Sequence, residues 1–593
     1  MEPCILHPEH VSVRGVFFCE KVKYVMKIVQ SCNIILPNNP HTAVKHAAEE
    51  LKAYIQKILS ICDVKIFESD EEGSSPKIFL EISSPLLHDE VTYEKHDAAF
   101  HIYEKDGDVY ILGCSESSVI YAAYAFLEHI GCRFFSPDTE KIPSLDKIEI
   151  ESGFNIFECS PFEYRDIYWS CAFDTAWSLK AKLNGACKNG RGMGRNIPES
   201  LGGGLNYAGP YFVHSFSMLV PPAEYFDTHP EYFSEIDGVR TSKHLYSQLC
   251  MTNKDVIDIS AKKACGWLRE NPDRKMVSIS QNDSFILGSY CQCDECKKII
   301  EREGAPSGAL IYFVNEVAEK IEKEFPDAIV DTLAYQYSVT PPKFIRPRKN
   351  VCIRLCTGGC NSHPIESCNL NAHIKDAFEK WSSICNKLYV WDYTTNFGQY
   401  LTPYPNLTII PQNIKFFRDH SVKGLFMQGQ YDGGKNGEFG ELRSYIISRL
   451  LWNPECDIES DAKEFISEFY GNAAPHVLDY LKFIHEKGVQ MHASCAFLCR
   501  DKWSGLISDG EIDYLDKLWE NAILSCADEK TRDHTSRSSM CHEWFKLDAG
   551  RITNPTEENL ASAWADFYKR CKELGIERLS EGANIPTPQI NPI

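Results

Sequence analysis

The sequence is short of positive charge: 62 Lys and Arg face 83 Asp and Glu, a formal net charge of -21. Nucleic acid is held largely by lysines and arginines that displace counterions, so a chain this acidic, without basic runs, is not expected to bind it. No stretch approaches 18 consecutive apolar residues, which excludes a membrane-spanning helix. A secretory leader is not expected either. Glu2 stands where a basic region is needed, and the apolar run Val16-Phe17-Phe18-Cys19 is stopped by Glu20 and Lys21. The expectation is a cytoplasmic chain, and its 25 cysteines, an odd number that cannot pair completely, suit reduced thiols. Neither a phosphate-cradling Gly-x-x-x-x-Gly-Lys nor a dinucleotide fingerprint occurs; Gly202-Gly203-Gly204 follows no strand-like run and lacks a Lys or Ser/Thr partner. No cofactor is expected.

What is present is ordinary globular composition, 43% apolar over 593 residues. The length allows about three to five domains, or fewer if one is an α/β barrel. There is no convincing internal repeat. The weakest stretches are the acidic turn 68–75, the glycine-rich 185–209 and the proline-rich tail 585–593. Residues 42–60 carry Ala43, Val44, Ala47, Leu51, Tyr54, Ile55 and Ile58 at helical spacing. Strand-like runs at 27–36, 77–82, 98–104 and 108–114 surround it. A second helix is expected over 116–130, capped by Ser115. This alternation predicts an N-terminal α/β domain over residues 1–150.

Eight strand-like runs follow, at 164–169, 211–216, 248–252, 276–281, 329–335, 351–356, 388–392 and 424–428, mostly separated by helical stretches. Eight such units predict an α/β fold of the (β/α)8 TIM-barrel type over residues 155–455. Beyond that the pattern is helical only, and a C-terminal helical domain over 456–593 is expected. In such a barrel the reactive face lies at the C-terminal ends of the strands. Polar and aromatic residues crowd those ends: Arg165, Asp166, Trp169, His214, Gln281, Asn282, Asp283, Tyr335, Tyr337, Arg354, His363, Trp391, Asp392, Tyr393, Gln428 and Gln430. Sugar rings stack on Trp and Tyr while their hydroxyls require donors and acceptors, so the set reads as a carbohydrate cleft. Individually, each polar residue has a local alternative as a cap or loop partner, Arg165 as a barrel-mouth salt bridge and His214 as a structural histidine.

The motifs Pro161-Phe162-Glu163-Tyr164-Arg165-Asp166, His229-Pro230-Glu231-Tyr232-Phe233, Asp237-Gly238-Val239-Arg240 and Ser280-Gln281-Asn282-Asp283 occur in that order. Cys291-Gln292-Cys293-Asp294-Glu295-Cys296, Trp391-Asp392-Tyr393, Gln428-Gly429 and Leu450-Leu451-Trp452-Asn453-Pro454 continue the series. Together they resemble a bacterial family first described as a domain of unknown function and now placed with the endo-β-N-acetylglucosaminidases of glycoside hydrolase family 163. The N-terminal part is similar to the α/β domain preceding hexosaminidase and α-glucuronidase barrels. The resemblance implies retaining hydrolysis of β-linked N-acetylglucosamine in an oligosaccharide substrate, with the substrate's 2-acetamido oxygen as nucleophile. Endo action on N-glycan-type chains is the reading it favours. An exo-acting hexosaminidase or uronidase, and a non-catalytic carbohydrate-binding barrel, are the alternatives.

Such chemistry needs an acid for the leaving oxygen and a polar group for the acetamide. Where enzymes of this type often carry adjacent carboxylates, this chain has Asn282-Asp283. The candidate catalytic residues are therefore Asp283, as acid or orienting carboxylate, Asn282 on the acetamide, and Glu231 as a second carboxylate. Arg165, Trp169, His214, Gln281, Tyr335, Trp391, Asp392, Tyr393 and Gln428 are candidate substrate contacts. Cys291, Cys293 and Cys296 form Cys-x-Cys-x-x-Cys; with a fourth ligand from Cys356, Cys360, His363 or Cys368 they would suit structural zinc, but packed thiols without metal are the expectation. The sequence does not specify an oligomeric state.

Overall fold

In the Ser31–Ile35, Lys77–Ile82, Phe100–Lys105 and Asp108–Gly113 strands, residues such as Ile34, Ile78, Leu80, Ile102, Val109 and Ile111 are buried. These strands belong to a six-stranded sheet ordered Asn155–Glu158, Phe100–Lys105, Asp108–Gly113, Lys77–Ile82, Ser31–Ile35, Asp63–Phe67. The computed structural model describes residues 24–69, 76–88, 91–93, 98–187, 193–243, 248–284, 286–551 and 556–586. Residues 1–23, most of the acidic turn, part of the glycine-rich stretch and the tail beyond 586 lie outside them. Helices Thr42–Ile58 and Glu116–His129 pack with this sheet. Ser115 caps the second, its hydroxyl accepting from the Ser118 amide at 3.2 Å. The expected strand 27–36 is two elements: Tyr24–Ile28 pairs with Ile148–Glu151, and only Ser31–Ile35 joins the main sheet. The Asn155–Glu158 strand carries that sheet past residue 150.

The second sheet is parallel and curled, in the order Tyr164–Tyr168, Gly424–Gln428, Leu388–Tyr393, Val351–Cys356, Ile329–Ala334, Met276–Ser278. It is a six-stranded half-barrel rather than the expected eight-stranded barrel. Residues 211–216 are no strand, because His214 sits at φ 53° in the left-handed region and Phe216–Leu219 turns into helix. Residues 248–252 make one antiparallel bridge, Leu249 to Phe233.

The gap between the edge strands is crossed instead by residues 184–187 and 205–208. The Gly185 amide donates to the Arg165 carbonyl at 3.0 Å, Ala186 to Leu205 at 3.0 Å, and Ala208 to Met276 at 2.7 Å. A side chain at Gly185 would collide with Asp166, so a glycine is required for this close approach. Helices such as Lys254–Glu270, Ser307–Glu322 and Gly440–Trp452 bury their apolar faces in the main hydrophobic core.

After Trp452 come helices Ile458–Tyr470, Ala474–Gly488, Asp509–Ser525, Glu529–Asp548 and Glu557–Glu573. The expectation of helix alone fails at the end, where Arg578–Ser580 and Ala583–Asn584 form a hairpin. No described helix is long and apolar enough to cross a membrane.

Candidate active site

Successive side chains on a strand point to opposite faces. That parity sorts the predicted residues. Tyr164, Tyr168, Cys352, Cys356, Tyr389, Trp391 and Phe426 form an aromatic-rich cluster separate from the one formed by their odd-and-even neighbours Ile167, Ile353, Leu355, Val390, Leu425 and Met427. The first set faces the enclosed side of the curled sheet; the second faces the helices.

Within the enclosed side lies a charged layer. The Arg354 guanidinium sits among the rings of Tyr164, Tyr389, Phe426 and Tyr207 at 5.1–5.9 Å. It donates to Asp331 Oδ2 at 2.9 and 3.1 Å, and Tyr207 OH donates to the same oxygen. Burial pushes the Asp331 carboxyl up even though Arg354 and Tyr207 pull it down. Asp166 accepts from Arg195 at 2.7 Å and from Tyr164 OH at 2.9 Å. These charges are paired, as buried charges must be.

Beyond that layer, at the C-terminal ends of the strands, a cavity of about 800 Å³ opens. Tyr168, Trp391, Tyr393 and Gln428 line it from strand ends, and His214, Asp283, Tyr335 and Tyr431 from the loops that follow. Trp391 stacks on Phe212 with ring centres 5.8 Å apart and donates from Nε1 to Gln428 Oε1 at 2.6 Å. The Gln428 carbonyl is thereby engaged, leaving its NH2 as donor. His214 Nδ1 lies 2.8 Å from the Gln281 carbonyl, which can only accept. The proton is therefore on Nδ1, and in the neutral ring Nε2 is an acceptor. Burial first, then the Asp283 charge, raises the Tyr335 hydroxyl, so it remains a donor at neutral pH.

Six of the predicted residues thus meet in the cavity: Asp283, His214, Tyr335, Trp391, Tyr393 and Gln428. The others do not line it. Arg165 faces away, its guanidinium donating to the carbonyls of Lys182 and Phe162 and lying over Trp452. Trp169 is buried behind Gly429 and donates to Thr394 Oγ1 at 2.9 Å. Asp392 has the wrong parity; it accepts from Thr357, and burial holds its carboxyl at about 6. Gln281 is buried and donates to Ser338 Oγ at 2.8 Å. Asn282 accepts from the Ser217 amide through Oδ1, while both of its backbone groups bond to the Gln248 side chain. Glu231 sits on an exposed turn paired with His229 at 3.1 Å. A hydrogen bond from its own backbone, then His229, holds its carboxyl below the usual range.

The second carboxylate in the cavity is Glu581, which sequence reading missed. It stands in the turn of the C-terminal hairpin and accepts from Tyr431 OH at 2.9 Å. Cys495 and Ala496, from the loop after Ala474–Gly488, complete the same wall. No local motif marks any of the three. A second cavity, about 400 Å³, lies among the C-terminal helices, but several of its charged groups are already mutually paired, Lys546 with Asp516 and Arg570 with Glu543.

The described residues thus form an α/β domain leading into a curled parallel sheet with carboxylates and aromatics at its C-terminal mouth. Solved structures share parts of this fold. A GH115 4-O-methyl-α-glucuronidase, BtGH115A, with specificity for decorated arabinogalactans, superposes with a TM-score of 0.58 at 10% identity, covering 93% of this chain and 76% of that one. A GH138 enzyme targeting pectin rhamnogalacturonan II gives 0.47 at 11% identity, covering 92% of each chain. A Streptomyces plicatus β-hexosaminidase mutant in complex with GlcNAc gives 0.41 at 10% identity, covering 78% of this chain and 92% of that one. No curated protein matches the sequence. Residues 134–482, more than half of the chain, match the family described as a domain of unknown function, DUF4838, and the chain belongs to that family.

Proposed function

We propose that this chain is a glycoside hydrolase that cleaves β-linked N-acetylglucosamine, acting within N-glycan-type oligosaccharides. The observation that carries the reading is Asp283 on the wall of an aromatic cavity at the strand ends, with Glu581 as a second carboxylate. A cavity of about 800 Å³ leaves room for more than one pyranose ring, which supports endo action over removal of a terminal sugar. Trp391 and Phe212 offer stacking faces, and Gln428, His214 and Tyr335 read hydroxyls.

In this mechanism Asp283 protonates the leaving oxygen as the substrate's acetamide oxygen displaces it from the anomeric carbon with inversion. Water, deprotonated by the resulting Asp283 carboxylate, then opens the cyclic oxazolinium with a second inversion, so that configuration is retained overall. Asn282 is unsuited to polarising the acetamide through its carbonyl, which the Ser217 amide already occupies. Glu581 takes the orienting role on the acetamide N–H. The test is a screen of purified protein against defined N-glycopeptides and aryl N-acetylglucosaminides, read by mass. Release of an intact oligosaccharide is expected. Release of a free monosaccharide would favour the exo reading, and chitobiose binding without any turnover would favour a non-catalytic barrel.

A further inference from the structure

The three cysteines of the Cys-x-Cys-x-x-Cys motif acquire a fourth from a distant part of the chain. Cys250, Cys291, Cys293 and Cys296 have sulfur atoms all within 4.8 Å of one another. The Cys250 sulfur is 3.7 Å from that of Cys293 and 4.0 Å from that of Cys296. A tetrahedral zinc with Zn–S bonds of about 2.3 Å requires sulfurs about 3.8 Å apart along each edge. Packing alone brings two thiols into contact; it gives no reason for four to converge at one spacing. Cys356, Cys360, His363 and Cys368, the partners suggested by sequence order, are not part of this group.

We propose that Cys250, Cys291, Cys293 and Cys296 bind a structural zinc ion as four thiolates. Binding displaces the thiol protons to solvent and leaves a centre of net charge -2. The surroundings suit that charge. The Glu235 amide donates to Cys291 Sγ at 3.5 Å and Arg240 Nη1 at 3.6 Å. Cys293 is the N-cap residue of helix Asp294–Glu303, where a negative charge is favoured. Thr252 Oγ1 lies 3.3 Å from Cys296 Sγ. Such neighbours orient thiolate ligands and moderate their charge. The set is closed: all four positions are filled by the protein and none is left for substrate, so the ion is structural.

The site also explains how residues 248–252 are held without joining the half-barrel as a strand. The ion fastens this segment to the loop that follows Met276–Ser278. Gln248, two residues before Cys250, bonds both backbone groups of Asn282, the neighbour of Asp283. Zinc therefore braces the wall that presents Asp283.

The test uses full-length protein purified under reducing conditions. Elemental analysis is expected to find stoichiometric zinc, and Cys250→Ser with Cys293→Ser to lower it by one equivalent. His492→Ala, in the separate Cys360, His363 and His492 cluster, is expected to leave that equivalent in place. Because the cysteine variants can misfold, wild-type protein is also alkylated before and after chelation and mapped by peptide mass. The four cysteines are expected to be protected until the chelator is added, and replacement with cobalt(II) to give thiolate charge-transfer bands of tetrahedral coordination. Free alkylation of all four without chelator, disulfides among them, or stoichiometric iron in place of zinc would each overturn the proposal. None of these readouts depends on glycosidase activity.

Discussion

Replacing Asp283 by Asn separates chemistry from folding. The side chain is exposed at the cavity wall, so the substitution is expected to change stability by no more than about 0.5 kcal/mol, as is usual away from buried networks. If Asp283 protonates the leaving oxygen, turnover of glycans falls about 10² to 10⁴-fold, equivalent to about 2.7 to 5.4 kcal/mol of transition-state stabilisation. The kinetic effect should exceed the stability effect at least fivefold. Measurement pairs kcat/KM on an N-glycopeptide and on an aryl glycoside with the melting temperature. The aryl substrate, whose leaving group barely needs a proton, should lose far less. Glu581→Gln should slow both substrates together, since orientation of the acetamide serves either leaving group. Glu231→Gln, on its exposed turn outside the cavity, should leave both rates unchanged. Near-wild-type turnover in a folded Asp283→Asn protein would refute the assignment, and so would parallel losses on the two substrates.

The remaining expectations concern the scaffold. Arg354→Met leaves the buried Asp331 carboxyl without its cationic partner, and should cost about 3 to 5 kcal/mol in denaturant unfolding, while the double change with Asp331→Leu should recover much of it. A double variant no more stable than the single one would contradict the pairing. Burial pushes the Glu128 carboxyl up, but Lys182 and Arg449 outweigh it and hold the group below its ordinary value. Its contribution is thus fully present above the ordinary carboxylate pKa of about 4.3 and is lost as pH falls through the lower folded value. Glu128→Gln should flatten the acid limb of a stability-against-pH curve, and an unchanged limb would remove Glu128 as its cause. Gly429→Ala would drive a methyl into the Trp169 indole and should cost about 1 to 3 kcal/mol; an unchanged unfolding midpoint would show that Trp169 can move aside.

Local pattern was enough for the elements whose stability is local or whose burial repeats with a fixed period. The helix at Thr42–Ile58, the Ser115 cap and the strands Val351–Cys356 and Gly424–Gln428 fall where hydrophobic period and capping chemistry place them. Period two also separates Trp391, Tyr393 and Gln428 from Asp392 on neighbouring positions, so the outward fate of Asp392 was legible once strand parity was applied. Residues 211–216 and 248–252 look like strands by composition, yet a left-handed His214 and a single bridge at Leu249 exclude them from the sheet. Those outcomes depend on backbone partners far away in sequence, namely the segments at 184–187 and 205–208 that occupy the gap. The same holds for Glu581 and Cys250. Each is an unremarkable residue in its own neighbourhood, and each acquires its place only when the folded chain brings it to the cavity that Asp283 also lines or beside three other thiols. Sequence spacing encodes contacts within an element; contacts between elements are set by how the apolar faces pack, and only the tertiary structure decides them.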